Sequence, residues 1–293
     1  MVVEQEAFSA SRQPAPALTG VVDGYHGYRL AGFPPGLHRG APSRHMTFIV
    51  AIGPEIDVVR QTDPGQRPRR YRAVLSGLQA SAALIAHDGY QEGVAIELRP
   101  LACRAVFGLP ARALWNTSVE LDEVVDGVGR ELAERLHDTA DWSARFDACD
   151  DVLLRLLATR RRSGRGTGAE PALAAAWSAL ERSGGTLGVA SLADHVGWSR
   201  QHLRTRFVDE VGLAPKLAGR VMRVERARQL LLGPAAVGDS EGSRLADIAV
   251  RCGYYDQAHL TREFVDLIGC PPGQLLAEDL PSVQDAETVA GAP

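Results

Sequence analysis

Lysine is nearly missing from this 293-residue chain: it occurs once, at Lys216, and arginine carries the rest of the positive charge. That bias reads first as a compositional habit of the source genome and only second as a choice for bidentate contacts. The formal net charge of -4 excludes a protein that coats nucleic acid by bulk charge, so any grip on a polyanion has to be local. Cysteine is scarce too. Cys103, Cys149, Cys252 and Cys270 are scattered without CxxC spacing, which argues against a zinc knuckle or a disulfide framework and fits a reducing cytoplasm. No apolar run approaches the roughly 18 residues of a spanning helix, and the N-terminus lacks a basic segment followed by an apolar one, so no membrane partner is expected. Nor is there a GxSxG, P-loop or GxGxxG in a context that would support a reaction, and catalysis is not expected.

What is present is globular and long enough for two cores: 45% hydrophobic and 23% charged residues, with a mean hydropathy of -0.10. Residues 1–20, with Pro14 and Pro16, have no periodicity and read as a flexible arm. Short apolar or alternating runs then follow at 46–52 (MTFIVAI), 73–78 (AVLSGL), 81–87 (SAALIAH) and 93–98 (GVAIEL), which predict strands of a small barrel or sheet. His87-Asp88-Gly89 is the type of turn that joins two such strands in a hairpin. After Pro100 the apolar spacing changes to three and four, in LACRAVFGL, VELDEVVDGVGRELAERLHD and WSARFDACDDVLLRLLATR, predicting amphipathic helices. Residues 21–160 thus read as one module of strands followed by helices. Arginine and glycine break the pattern at 161–170, read as a linker whose arginines are a solvated tether before they are phosphate contacts. Residues 281–293 read as a flexible tail.

From residue 171 the chain repeats itself at a period near 56 residues. LADHVGWSRQHLRTRFVDEVGLAP (192–215) aligns with IAVRCGYYDQAHLTREFVDLIGCPP (248–272). Gly197 answers Gly253, Trp198 answers Tyr254, His202-Leu203 answers His259-Leu260, Phe207-Val208-Asp209 answers Phe264-Val265-Asp266, and Pro215 answers Pro272. Each copy reads as a short helix, a glycine turn and a second helix with leucine and phenylalanine inward, which is a helix-turn-helix. Ser199 and Asp256 stand where an N-cap is wanted. With Leu203 and Phe207 buried, Arg200, Gln201, Arg204 and Thr205 fall on exposed positions; around Leu260 and Phe264 lie Gln257, Ala258, His259, Thr261 and Arg262. Arginine and glutamine there suit bidentate bonds to guanine or adenine in a major groove. Between the copies, 216–231 places Leu217, Val221, Val224 and Leu231 on one stripe, predicting a spacer helix that sets the two units about one DNA turn, roughly 34 Å, apart.

These features, G-[WY], the two HL-x-x-x-F pairs, the glycine and proline endings and the basic spacer, resemble the double helix-turn-helix domain of the AraC/XylS family over about residues 171–280. The resemblance implies an α+β protein: an N-terminal β-rich, barrel-like module with trailing helices, which over residues 21–160 serves as a sensory or dimerisation domain, and a C-terminal all-α domain with two helix-turn-helix units. It implies a DNA-binding transcription regulator, an activator before a repressor, with Ser199, Gln201, Arg204 and Thr205, and Gln257, Ala258, His259 and Arg262, touching DNA. Ala258 offers only a methyl contact. Residues 200–228 hold eight basic against three acidic side chains, although 171–280 as a whole is close to neutral. The first unit and spacer are therefore expected to supply most phosphate contacts, the second unit reading bases weakly or facing RNA polymerase. Local roles compete at several positions: packing for His202 and His259, ion pairs for Arg206 and Arg262, and core wedges for Trp198 and Tyr254.

The N-terminal half carries His38, His45 and His87 beside predicted strands, where a small-molecule effector would enter. A metal held by His38 and His45 is set aside because the HxH and downstream glutamate of cupin-like barrels are missing, and no cofactor is expected. A homodimer is a further partner reading. Two other functions stay in view: an architectural DNA-binding protein, against which the net charge speaks, and a DNA-repair enzyme with a zinc-held cysteine, against which two of the four cysteines lying in the repeats speak.

Overall fold

The computed structural model describes residues 5–163, 168–233 and 241–276. Its N-terminal half is built on ten strands: β1 (Glu6–Arg12), β2 (Val22–Ala31), β3 (Gly36–Gly40), β4 (Thr47–Ala51), β5 (Ile56–Arg60), β6 (Arg69–Tyr71), β7 (Ala73–Ser76), β8 (Ala83–His87), β9 (Gln91–Leu98) and β10 (Ser118–Glu120). They form two sheets, ordered β1-β2-β9-β4-β7-β10 and β3-β8-β5-β6, every pair antiparallel and neither sheet closed. The four apolar runs legible in the sequence are β4, β7, β8 and β9.

Helices α1 (Cys103–Phe107), α2 (Val128–His137) and α3 (Trp142–Arg162) cover the larger sheet. Leu132, Leu136, Phe146, Val152 and Leu153 enter one core with Phe48, Val50, Leu75, Val94 and Ile96 from its strands. This is the expected order of a strand-rich module followed by helices. A smaller apolar cluster, including Ile56, Val58, Tyr71 and Val74, sits between the sheets.

Three expectations change. Residues 6–12 are not part of a loose arm but an edge strand, held by β2 along its length and by Arg12, whose guanidinium reaches Asp147 and Asp150 on α3. The His87-Asp88-Gly89 turn joins no hairpin: β8 pairs with β3 and β5, β9 with β2 and β4, so the chain changes sheets there. The linker begins later than expected, because α3 runs to Arg162 with Asp141 capping its first turn. Residues 164–167 of the expected linker, and the whole of the expected tail at 281–293, lie outside the described residues.

The C-terminal half is all helix: α4 (Pro171–Arg182), α5 (Val189–His195), α6 (Arg200–Val211), α7 (Pro215–Leu232), α8 (Glu241–Arg251), α9 (Gln257–Ile268) and α10 (Pro272–Leu276). Its core gathers Trp177, Leu180, Leu192, Leu203, Phe207, Val221, Val224, Ile248, Leu260, Phe264 and Leu267. One buried side chain of that core, Leu78, belongs to the sheet module. Polar ties run alongside: Arg99 to Glu181 at 2.6 Å, Arg104 to Glu210 at 2.9 Å, Arg112 to Asp209 at 3.1 Å, and the Arg44 backbone N–H to Glu225 at 3.2 Å.

Candidate nucleic-acid interface

The two repeats fold alike at their turns, the second with one extra residue, Tyr255. Gly197 and Gly253 take φ of +69° and +73°, the left-handed region where any side chain would be strained, and they turn α5 into α6 and α8 into α9. After each turn a side-chain oxygen closes the new helix: Ser199 accepts from the His202 N–H at 3.1 Å, and Asp256 from the His259 N–H at 2.7 Å. The aromatic of each turn meets the histidine of each helix edge to face, Trp198 with His202 at 4.7 Å and Tyr254 with His259 at 5.2 Å between ring centroids. Tyr254 is buried, as a core wedge should be, and Trp198 is half-buried.

Leu203, Phe207 and Val211 anchor α6, and Leu260, Phe264, Leu267 and Ile268 anchor α9. The opposite faces are open. Ser199, Arg200, Gln201, Arg204 and Thr205 are exposed together on the first turns of α6, and Gln257, Ala258 and Arg262 on α9; His259 is half-buried against Tyr254. Helix N-termini with exposed arginine, glutamine and threonine side chains suit both phosphate oxygens and base edges.

The stretch 200–228 is less available than its charge suggests. Arg206 pairs with Glu170 at 2.9 Å, the local role expected for it. Arg220 bridges Glu263 at 2.6 Å and Asp266 at 3.0 Å, with Arg223 at 3.6 Å from the same glutamate, and Arg228 is buried in the spacer's inward face. Arg220 and Arg223 thus fasten α7 to α9. Glu263 was not singled out from the sequence; it lies three residues past Leu260 on the buried side of α9, and that spacing was the available signal. Arg200, Arg204, Lys216, Arg226, Arg251 and Arg262 are exposed.

In the sheet module, two of the three histidines come together. His38 and His87 have ring centroids 5.7 Å apart, and the Nδ1 atom of each is buried with no hydrogen-bond partner among the described residues. His38 lines a cavity of about 50 Å³ with Thr47, Ile49, Ile56, Val74 and Gln79, while His87 borders an open cavity of about 430 Å³ with Asp57, Arg70 and Tyr90. His45 is elsewhere. Its Nε2 lies 2.8 Å from Asp23 and its Nδ1 3.6 Å from Glu97, and Arg99 continues the chain of charges from Asp23 to Glu181 of α4. Among the described residues no group of His, Cys, Asp and Glu has the arrangement of a metal site. Burial pushes the thiols of Cys103 and Cys149 up to about 12, so neither is a thiolate near neutral pH. Among the described residues, no helix is long and apolar enough to cross a membrane.

A family model described as a helix-turn-helix domain matches residues 192–278. No curated protein matches. Among solved structures, a transcriptional regulator of the AraC-type DNA-binding-domain proteins from Chromobacterium violaceum is 26% identical, with a TM-score of 0.33, and the match covers 38% of this chain and 95% of that one. An apo ToxT variant from Vibrio cholerae strain SCE256 is 12% identical with a TM-score of 0.51, covering 92% of this chain and 100% of its own, and shares the fold. The same strain's wild-type ToxT, solved with an unsaturated fatty acid bound, is 12% identical with a TM-score of 0.48, covering 93% and 94%.

Proposed function

We propose that this protein, whose residues 192–278 match a helix-turn-helix domain, is a sequence-specific transcription regulator of AraC type that reads promoter DNA with α6 and α9 and activates the genes it marks. The observation that carries the reading is the repeated geometry: two helices, each started by a capped glycine turn, each anchored by a leucine and phenylalanine pair, and each with its opposite face open. The contacts fall to Ser199, Arg200, Gln201, Arg204 and Thr205 on the first helix and to Gln257, Ala258, His259 and Arg262 on the second. Ser199 and His259 serve first as cap and packing partner, so the base-reading weight rests on Arg204, Gln201 and Arg262.

The sheet module is the receiving end of a signal. A small-molecule effector would meet it at the cavities bordered by His38 and His87, or at a separate cavity of about 50 Å³ where His45, held between Asp23 and Glu97, faces Glu225 and Arg228. RNA polymerase and a second copy of the chain are further partners of this reading, and the cytoplasm its place. The test is to incubate the purified full chain with fragmented source DNA at physiological salt and to sequence the retained fragments. Two boxes about ten base pairs apart are expected; retention that ignores sequence would replace this reading with an architectural one.

A further inference from the structure

The outward faces of the two recognition helices differ in chemistry, and the difference is written at equivalent positions. On α9 the residues opposite the buried Leu260 and Phe264 are Ala258, Arg262 and Val265, at i, i+4 and i+7, with Thr261 flanking them. Val265 is 48% exposed, a β-branched apolar side chain presented to water, and Ala258, two turns earlier on the same face, is exposed as well. On α6 the same positions hold Gln201, Thr205 and Val208, flanked by Arg204, and Val208 is half-buried. The first helix therefore offers an amide and a guanidinium, Gln201 and Arg204, where the second has the methyl groups of Ala258 and Thr261, and the valine the two helices share is the more exposed on the second.

Nothing on α9 contradicts an apolar contact with DNA. The two carboxylates nearest the strip are both occupied: Glu263 is buried under Arg220 and Arg223, and Asp266 is bound by Arg220 at 3.0 Å. Arg262 stands between Ala258 and Val265 and supplies the positive charge that draws the helix into the groove. In a major groove the one apolar group on a base edge is the C5 methyl of thymine, the partner of an alanine, valine or threonine methyl.

We propose that α9 selects thymine by its methyl group, through Ala258 and Val265 with the Thr261 methyl at their side, so that the two boxes have different alphabets: guanine and adenine under Arg204 and Gln201 on α6, thymine under α9. This rests on the DNA-reading role proposed above. It makes Ala258 and Val265 specificity-determining residues although neither forms a hydrogen bond through its side chain.

The experiment uses the full chain and the tightest duplex it selects from a random library. Thymines are replaced by deoxyuridine, one box at a time, which deletes the methyl and keeps the base pair. Affinity is expected to fall about four-fold for each contacted thymine in one box and to stay unchanged in the other, the size expected for losing one buried methyl contact. Val265→Ser should bind the thymine duplex more weakly and lose part of its preference over the uracil duplex, and Ala258→Gln should select adenine at one position of that box. Equal affinity for thymine and uracil in both boxes, or full uracil sensitivity in Val265→Ser, overturns the inference while leaving the regulator reading standing. Failure to select any sequence overturns both.

Discussion

At the residue scale, four side chains carry consequences that can be measured singly. Ser199 and Asp256 each satisfy an N–H that the first turn of a recognition helix would leave bare. Ser199→Ala and Asp256→Ala should each lower stability by about 1 kcal/mol in urea unfolding. Arg204 is exposed on the outward side of α6, and Arg204→Ala should weaken binding to the selected duplex by about 1 to 3 kcal/mol while sparing binding to unrelated DNA more. His38 is a matter of pH. Its imidazole is pushed from 6.5 down to about 4 by burial, with His87 pressing the same way, so the folded module keeps it neutral while the unfolded chain takes up a proton below about 6.5. Its contribution is whole above pH 6.5 and is lost as the pH falls toward 4, on the order of 2 kcal/mol at pH 5. His38→Leu should therefore narrow the gap between unfolding midpoints at pH 7 and pH 5; an unchanged gap would show that other groups govern acid sensitivity. The caps could be read from the sequence, since serine or aspartate straight after a glycine turn has a single local use. The environment of His38 could not, because its neighbours Ile49, Val74 and Gln79 come from distant strands.

At the element scale, α7 acts as a strut because two of its arginines converge on one buried acid of α9. Glu263 accepts from Arg220 at 2.6 Å, and its removal leaves two neighbouring guanidinium groups of α7 without the acid they share. Glu263→Ala should cost about 2 to 3 kcal/mol, a value lowered for the partial exposure of Arg220. Hydrogen exchange should then speed up in α9 before α6. The same scale shows why the helical half was more legible than the sheets. A helix-turn-helix is local, with glycine, cap and apolar pair all within about twenty residues, and its repetition marks each position twice. The strands β1 and β2 were missed for a physical reason. β2 (VDGYHGYRLA) holds two glycines that read as breaks, yet Gly27 serves the sheet: a side chain there would lie 2.3 Å from the Trp142 ring of α3. The glycine that hides the strand from its sequence lets a helix lie close upon it. Likewise the arginines of 200–228 looked like a phosphate surface because their acids, Glu170, Glu263 and Asp266, stand outside that window.

At the scale of the whole molecule, the charge left to DNA is modest. With Arg206, Arg220 and Arg223 paired and Arg228 buried, Arg200, Arg204, Lys216, Arg226, Arg251 and Arg262 are the exposed cations among the described residues of 192–276. The slope of log K against log salt should therefore be about 5 or smaller in magnitude, measured by anisotropy titration at several salt concentrations; a slope near 8 would mean that the ion pairs open on DNA. The two halves also meet through Leu78, which leaves the sheet module to be buried in the core of the helical one. A chain that lends a core side chain across its own boundary has no separate melting point for each half. Leu78→Ala opens a hole in the other domain's interior and should cost about 2 to 4 kcal/mol, and calorimetry of the intact chain should show one peak where a tethered pair would show two. Heat taken up by one half is then spent on both, so whatever tightens the strands also slows the fraying of the helices that would meet DNA.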